Sequence, residues 1–268
     1  MRESWVDVAG ARLYVADDGD GPPLVMLHGG MADHRAAWPV VAPLAGRFRI
    51  VLPDQRGSGR SHCGRPLSFD LLADDLASVL DRLGLPRAIV GGISGGAGVA
   101  LRFALRHPMR VLGLVLVRPV HAGADRGYTQ QQAATFAAMD AVASRAEAEG
   151  VQVLRALYAS LPPGVREKAL AMIEDFDAAS VVATSRFVAS GAQPFASTQE
   201  LRLLSTPTLL VRGDDPMHPG DVSDVYAASI PNCVVLPATT SDVAGPIGEF
   251  CDRYLGGTAT IAVTEASS

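Results

Sequence analysis

The sequence predicts an α/β fold, a mostly parallel, doubly wound sheet covered by helices on both faces, with a block of helices inserted between two of its strands. Three observations carry this. Short unbroken apolar runs recur along the chain, separated by stretches of helical periodicity, which is the pattern of strands buried on both faces. The apolar run Ala88–Val90 passes through a glycine-packed turn around Ser94 into a helical stretch, a strand–turn–helix unit. From about residue 120 to 200 the chain is Ala-rich and helical, with no strand-like run.

In chain order, Trp5–Val8 and Arg12–Val15 alternate apolar and polar residues around Ala9-Gly10 and read as two short strands joined by a turn. Leu24–Leu27, Arg49–Leu52, Ala88–Val90, Leu112–Val117, Thr208–Val211 and Cys233–Leu236 are the expected parallel strands. Phe69–Leu83 places Leu72, Leu76, Val79, Leu80 and Leu83 on one stripe, an amphipathic helix that Gly84 closes. Gly96–Arg106, Val222–Ser229 and a last stretch near Ile247–Leu255 supply further covering helices. Within the inserted block, Gln130–Ala143, Val151–Ser160, Val165–Phe176 and Val181–Ala189 are expected helices, broken by Pro162-Pro163-Gly164. The expected organisation is a core of residues 1–119 and 201–256, a helical lid over 120–200, and a disordered tail over 257–268. A helical block in this position reads as a lid over the carboxyl edge of the sheet, where ligands bind in such folds.

Composition narrows the function. The chain has 268 residues, 48% hydrophobic and 19% charged, which is ample material for a core. A net charge of −5 gives no electrostatic footprint for nucleic acid or an anionic membrane. No segment approaches the apolar length of a membrane span, and the first residues lack the apolar core of a signal peptide. Cys63, Cys233 and Cys251 are scattered outside any metal or disulfide spacing, so they read as reduced thiols of a cytoplasmic protein. No pattern calls for a metal or a cofactor. The expected partner is a small-molecule substrate, and a homodimer is compatible with the sequence.

The chemistry centres on Gly92-Ile93-Ser94-Gly95-Gly96, which fits the G-x-S-x-G elbow that holds a serine on a sharp, strained turn. His28-Gly29-Gly30 directly follows the strand Leu24–Leu27, Asp54-Gln55-Arg56-Gly57-Ser58-Gly59-Arg60-Ser61 follows the next, and Gly213-Asp214-Asp215-Pro216-Met217-His218-Pro219 follows Thr208–Val211. In this order, over nearly the whole chain, these segments resemble the α/β-hydrolases, and within them the small lactonase, esterase and iminopeptidase-like members. The resemblance implies Ser94 as nucleophile, the backbone N–H groups of Gly30 and Gly95 as oxyanion donors, and Asp215 as the carboxylate that orients a histidine base. The glycines and the Arg–Asp pair of Asp54–Ser61 read as a scaffold turn, because such residues commonly lock bends.

One departure stands out. The family's histidine follows the last strand in an L-P-G-x-G-H loop, whereas this chain reads Leu236-Pro237-Ala238-Thr239-Thr240-Ser241, with no histidine after His218. A serine hydroxyl is a weak nucleophile without a base. Three histidines are candidates: His218, three residues beyond Asp215; His34, shortly after the oxyanion loop; and His121, where the lid begins. His28 reads as structural, His62 and His107 as surface residues. The activity the resemblance implies is then hydrolysis of a small ester or lactone through Ser94 with an atypical base. The alternatives are a non-hydrolytic lyase or cyclase of a natural-product pathway, or a catalytically degenerate binding protein. Phe136, Met139, Leu157, Tyr158, Met172, Phe187 and Phe195 are the candidate apolar walls of the pocket.

Overall fold

The computed structural model describes residues 1–63, 66–240 and 242–255, so the tail expected at 257–268 and the serine at 241 lie outside the described residues. Eight strands build one sheet: β1 (Arg2–Val8), β2 (Ala11–Asp18), β3 (Pro23–Leu27), β4 (Arg49–Pro53), β5 (Ala88–Ile93), β6 (Val111–Val117), β7 (Thr208–Val211) and β8 (Cys233–Leu236). Their order is β1-β2-β4-β3-β5-β6-β7-β8. β2 pairs antiparallel with both β1 and β4, and every neighbouring pair from β4 across to β8 is parallel.

The helices are α1 (His34–Val41), α2 (Phe69–Arg82), α3 (Gly95–Arg106), α4 (Gln130–Ala143), α5 (Ala146–Glu149), α6 (Pro163–Ile173), α7 (Ala178–Ala189), α8 (Thr198–Arg202), α9 (Gly220–Ser229) and α10 (Ala244–Leu255). The period of two along the central strands explains why both sheet faces need cover. Leu24 and Met26 share a core with Ala37 and Val41 of α1 and with Ile247 and Phe250 of α10. Val25 and Leu27 point the other way, into a core with Leu76 of α2, Phe103 of α3 and Tyr226 of α9. Each such buried Val, Leu, Ile, Phe or Met side chain stabilises the fold by about 1.5–3 kcal/mol relative to exposure. A third cluster, with Ala143, Leu154, Ile173 and Val181, belongs to the inserted helices and meets the core at Met31.

Three local details differ from the expectations. The segment expected as a helix over Val151–Ser160 winds as a 3₁₀ helix over Val151–Tyr158. The helix expected at Val165 begins two residues earlier, because Pro163 occupies the first turn, where proline's missing N–H costs nothing. The short α5 and α8 had no expected counterpart, and neither did helix α1. It is only 8 residues long, with Pro39 inside it, and is started by Asp33, whose side chain accepts from the Arg35 amide. Among the described residues no helix is long and apolar enough to cross a membrane.

The Asp54–Ser61 turn is a scaffold, held from inside. Buried Asp54 accepts hydrogen bonds from the His34 and Arg60 amides, and Ser61 Oγ accepts from the Tyr14 amide. Arg56, 1% exposed, donates from Nε and Nη2 to both carboxylate oxygens of Asp75 at 2.7 and 2.6 Å.

Candidate active site

β5 carries the chain to the carboxyl edge of the sheet, and α3 starts at once, which forces a tight turn at Ser94. Ser94 has φ 55° and ψ −118°, a conformation that costs a non-glycine residue about 1–3 kcal/mol. The flanking glycines are sterically required: a Cβ on Gly92 would sit 2.1 Å from the Gly96 carbonyl oxygen, and one on Gly96 2.4 Å from that of His28. The Ser94 amide is anchored to the Val117 carbonyl at 2.8 Å. The other non-glycine residues with positive φ among the described residues are Met31 and Arg118, just past the ends of β3 and β6. Backbone strain therefore gathers along one edge of the sheet.

The loop after β7 turns back toward the serine. Asp215 Oδ1 accepts from the backbone N–H groups of Met217 and His218, both at 2.9 Å, so the carboxylate winds the loop around itself. This brings the His218 ring onto the same carboxylate, with Nδ1 2.9 Å from each oxygen. A carboxylate only accepts, so Nδ1 carries the hydrogen and Nε2 the lone pair. Nε2 lies 3.0 Å from Ser94 Oγ, within reach to accept from the hydroxyl. Burial opposes ionisation of Asp215, but the hydrogen bonds from the His218 ring and the two amides outweigh it, and the carboxyl is held below its ordinary value. Asp215, His218 and Ser94 are thus brought into one hydrogen-bonded line, with acid and base on a single loop.

Gly30 and Gly95 are also brought together. A Cβ on Gly95 would lie 3.4 Å from the Gly30 amide nitrogen. The Gly95 N–H opens α3, where helical amides have no partner within the helix. Two main-chain donors therefore flank Ser94. A cavity of about 190 Å³ opens beside them, roofed by Phe136 and Met139 of α4 and Phe187 and Val188 of α7. Of the other candidate walls, Tyr158 instead donates from its hydroxyl to the Met31 carbonyl at 2.5 Å. Phe195 packs edge-on against Tyr226, and neither Leu157 nor Met172 lines the cavity.

The other two candidate bases do not approach the serine oxygen. His34 is turned inward, its Nδ1–H donating to Asp54 Oδ1 at 2.7 Å, because Asp54 is buried and needs a partner. It does not line the cavity, which corrects its expected role as base or substrate contact. His121 does line the cavity, yet it makes no hydrogen bond to Ser94. Asp33, His34 and Asp54 hold donor atoms within 4.8 Å of one another, a spacing open to a metal. Their oxygens and ring nitrogen are already engaged by Arg35, by each other and by backbone amides, so the set has the chemistry of a closed hydrogen-bond cluster.

Gln132 and Tyr128 are among the site residues that escaped the sequence reading. Gln132, 1% exposed, donates from Nε2 to the carbonyls of Val120 and Met217 at 3.0 and 2.9 Å, tying α4 to the loop that holds His218. Its Oε1 accepts from the Thr129 amide, completing a capping box legible in the sequence as Thr129-x-x-Gln132. Tyr128 lines the cavity from the segment before α4.

With this geometry in place, comparison with known proteins identifies the class. The chain matches the family model for the alpha/beta hydrolase fold over residues 22–240, and it belongs to that family. It is similar to the 2-hydroxymuconate semialdehyde hydrolase of Pseudomonas putida, with 31% identity over 245 residues, 84% of this chain and 81% of that protein. The enzyme of the same name from Pseudomonas sp. (strain CF600) is 34% identical over 178 residues. That match covers 61% of this chain and 63% of the other, less than two thirds of its length. Among solved structures, a thermophilic esterase from Thermogutta terrifontis superposes with a TM-score of 0.75 at 25% identity, over 97% of this chain and 100% of that one.

Proposed function

We propose that this chain hydrolyses a small ester or lactone, with Ser94 as nucleophile and His218 as base. The observation that carries the reading is the line Asp215–His218–Ser94, with 2.9 and 3.0 Å contacts, beside the amides of Gly30 and Gly95. His218 Nε2 takes the hydroxyl proton as Ser94 Oγ attacks the substrate carbonyl, and Asp215 stabilises the imidazolium that forms. The Gly30 and Gly95 amides receive the oxyanion of the tetrahedral intermediate. Collapse expels the alcohol, protonated by His218, and leaves an acyl-Ser94. Water, activated by the same histidine, then releases the acid. The names of the similar proteins, hydrolases and an esterase, fit this chemistry. The non-hydrolytic and binding-only readings start from a serine without a base; the imidazole nitrogen 3.0 Å from Ser94 Oγ favours hydrolysis over them.

The test is labelling by a fluorophosphonate together with turnover of p-nitrophenyl esters. Wild type labels and turns over, Ser94→Ala does neither, and His218→Ala lowers kcat by about 10³-fold or more. Full turnover in Ser94→Ala refutes the nucleophile, and undiminished kcat in His218→Ala refutes the base.

A further inference from the structure

The cavity contains a second polar cluster, apart from the line through Ser94, on the wall built after β6. His121 is 4% exposed, and its Nδ1 is enclosed without a hydrogen-bond partner. That nitrogen packs against α3 at Gly98, where a Cβ would sit 2.7 Å from it. The ring meets Phe69 edge-on at 4.9 Å and lies 5.7 Å from the ring of Tyr128. Tyr128 lines the same cavity, its ring 4.7 Å from Phe136, and no described residue takes its hydroxyl. Behind them Tyr226 Oη is also enclosed without a partner. Orphaned buried polar atoms are rare and each calls for a reason.

The protonation state of His121 bears on what this wall can hold. Burial alone pushes His121 down to about 3, so the ring is neutral. An enclosed nitrogen without a partner costs less as a lone pair than as an N–H, which places the hydrogen on Nε2. Nε2 is neither bonded to a described residue nor enclosed. It offers one donor to the cavity, and the Tyr128 hydroxyl offers another. The surrounding wall is apolar, with Leu67, Phe69, Val99 and Phe187. Arg56 is the one Lys or Arg in the described lining; Asp75 pairs with it through two hydrogen bonds, and its Nη1, though without a partner, is enclosed and out of reach of the cavity's contents. A substrate carboxylate would leave water here for two neutral donors and no free counter-charge, which is unfavourable.

We propose that His121 and Tyr128 form a subsite for an uncharged oxygen acceptor, a ketone or hydroxyl, on the substrate. The cavity then selects neutral oxygenated esters or lactones and discriminates against substrates bearing a carboxylate, such as a muconate. This deepens the hydrolase reading and rests on it for the word substrate.

The subsite is tested by binding in Ser94→Ala protein, where no turnover interferes, using calorimetry with methyl 5-oxohexanoate, methyl hexanoate and monomethyl adipate. The oxo ester binds about tenfold tighter than the plain ester, as one added hydrogen bond implies, and the carboxylate binds weakest. Adding His121→Phe or Tyr128→Phe lowers the oxo preference, while His121→Gln, which keeps a donor, lowers it less. Tyr128→Phe removes only a hydroxyl and guards against a folding defect at position 121. Equal affinities for the oxo and plain esters, tightest binding of the carboxylate, or an oxo preference unchanged in Tyr128→Phe each overturn the subsite. Labelling of wild-type Ser94 is scored separately: its absence refutes the nucleophile and leaves the binding result to stand or fall alone.

Discussion

Replacing His121 by glutamine removes a buried titrating ring, and the consequence can be worked out from its surroundings. In the folded chain, burial against Phe69, Tyr128 and the Gly98 turn of α3 pushes His121 down to about 3. In the unfolded chain it titrates near its ordinary value of about 6.5. Below pH 6.5 the unfolded chain therefore takes up a proton that the folded chain refuses. The stability involved is fully present above pH 6.5 and is lost progressively as pH falls toward 3. The slope approaches about 1.4 kcal/mol per pH unit, so wild type loses about 2 kcal/mol from this group between pH 7 and 5. His28, fully buried and also lowered by burial, adds in the same direction and remains in the variant. The lowered carboxyls of Asp54, Asp74 and Asp215 lose their contributions only below their ordinary range, so the window from pH 7 to 5 isolates the histidines. Urea unfolding at pH 7, 6 and 5 reads the effect. His121→Gln should lose about 2 kcal/mol less than wild type across that range. Parallel pH profiles for the two proteins would refute a neutral, enclosed imidazole at this position.

Gln132→Leu strips the donors from two carbonyls, at a cost of about 1–3 kcal/mol for each one left buried, and loosens the loop under His218. It should lower Tm and cut kcat by about tenfold or more with little change in KM, and wild-type kcat in a destabilised variant would rule out the positioning role. Asp75→Ala leaves Arg56 charged and enclosed, so urea unfolding should show a loss of about 3–5 kcal/mol; a loss under 1 kcal/mol would show that the pair is not the lock of its turn.

Much of the architecture was legible because it depends on short-range pattern. Strands β3 to β8 follow unbroken apolar runs, the elbow follows its glycines, and α2 follows one apolar stripe closed by Gly84 at φ +68°. His218 was legible as a candidate because three residues of separation from Asp215 put its ring within reach. The choice among three histidines depended on two amides turning the Asp215 loop back on itself, which composition does not display. His34 misled for the opposite reason: its partner Asp54 stands twenty residues away at the end of another strand, and burial there consumes the ring. Phe136, Met139 and Phe187 reached the cavity and Leu157, Met172 and Phe195 did not. Helical spacing marks an apolar face, but not which neighbour that face meets.

Placing carboxylate and imidazole on one turn changes what can disturb their alignment. Their mutual distance is fixed by three residues of local chain, so breathing of the outermost strand, or redesign of the connection that follows it, leaves the pair intact. The remaining variable is how far that turn, moving as a rigid unit, stands from the hydroxyl across the cleft. Under the proposed mechanism, adjusting this one gap would tune proton transfer from the serine.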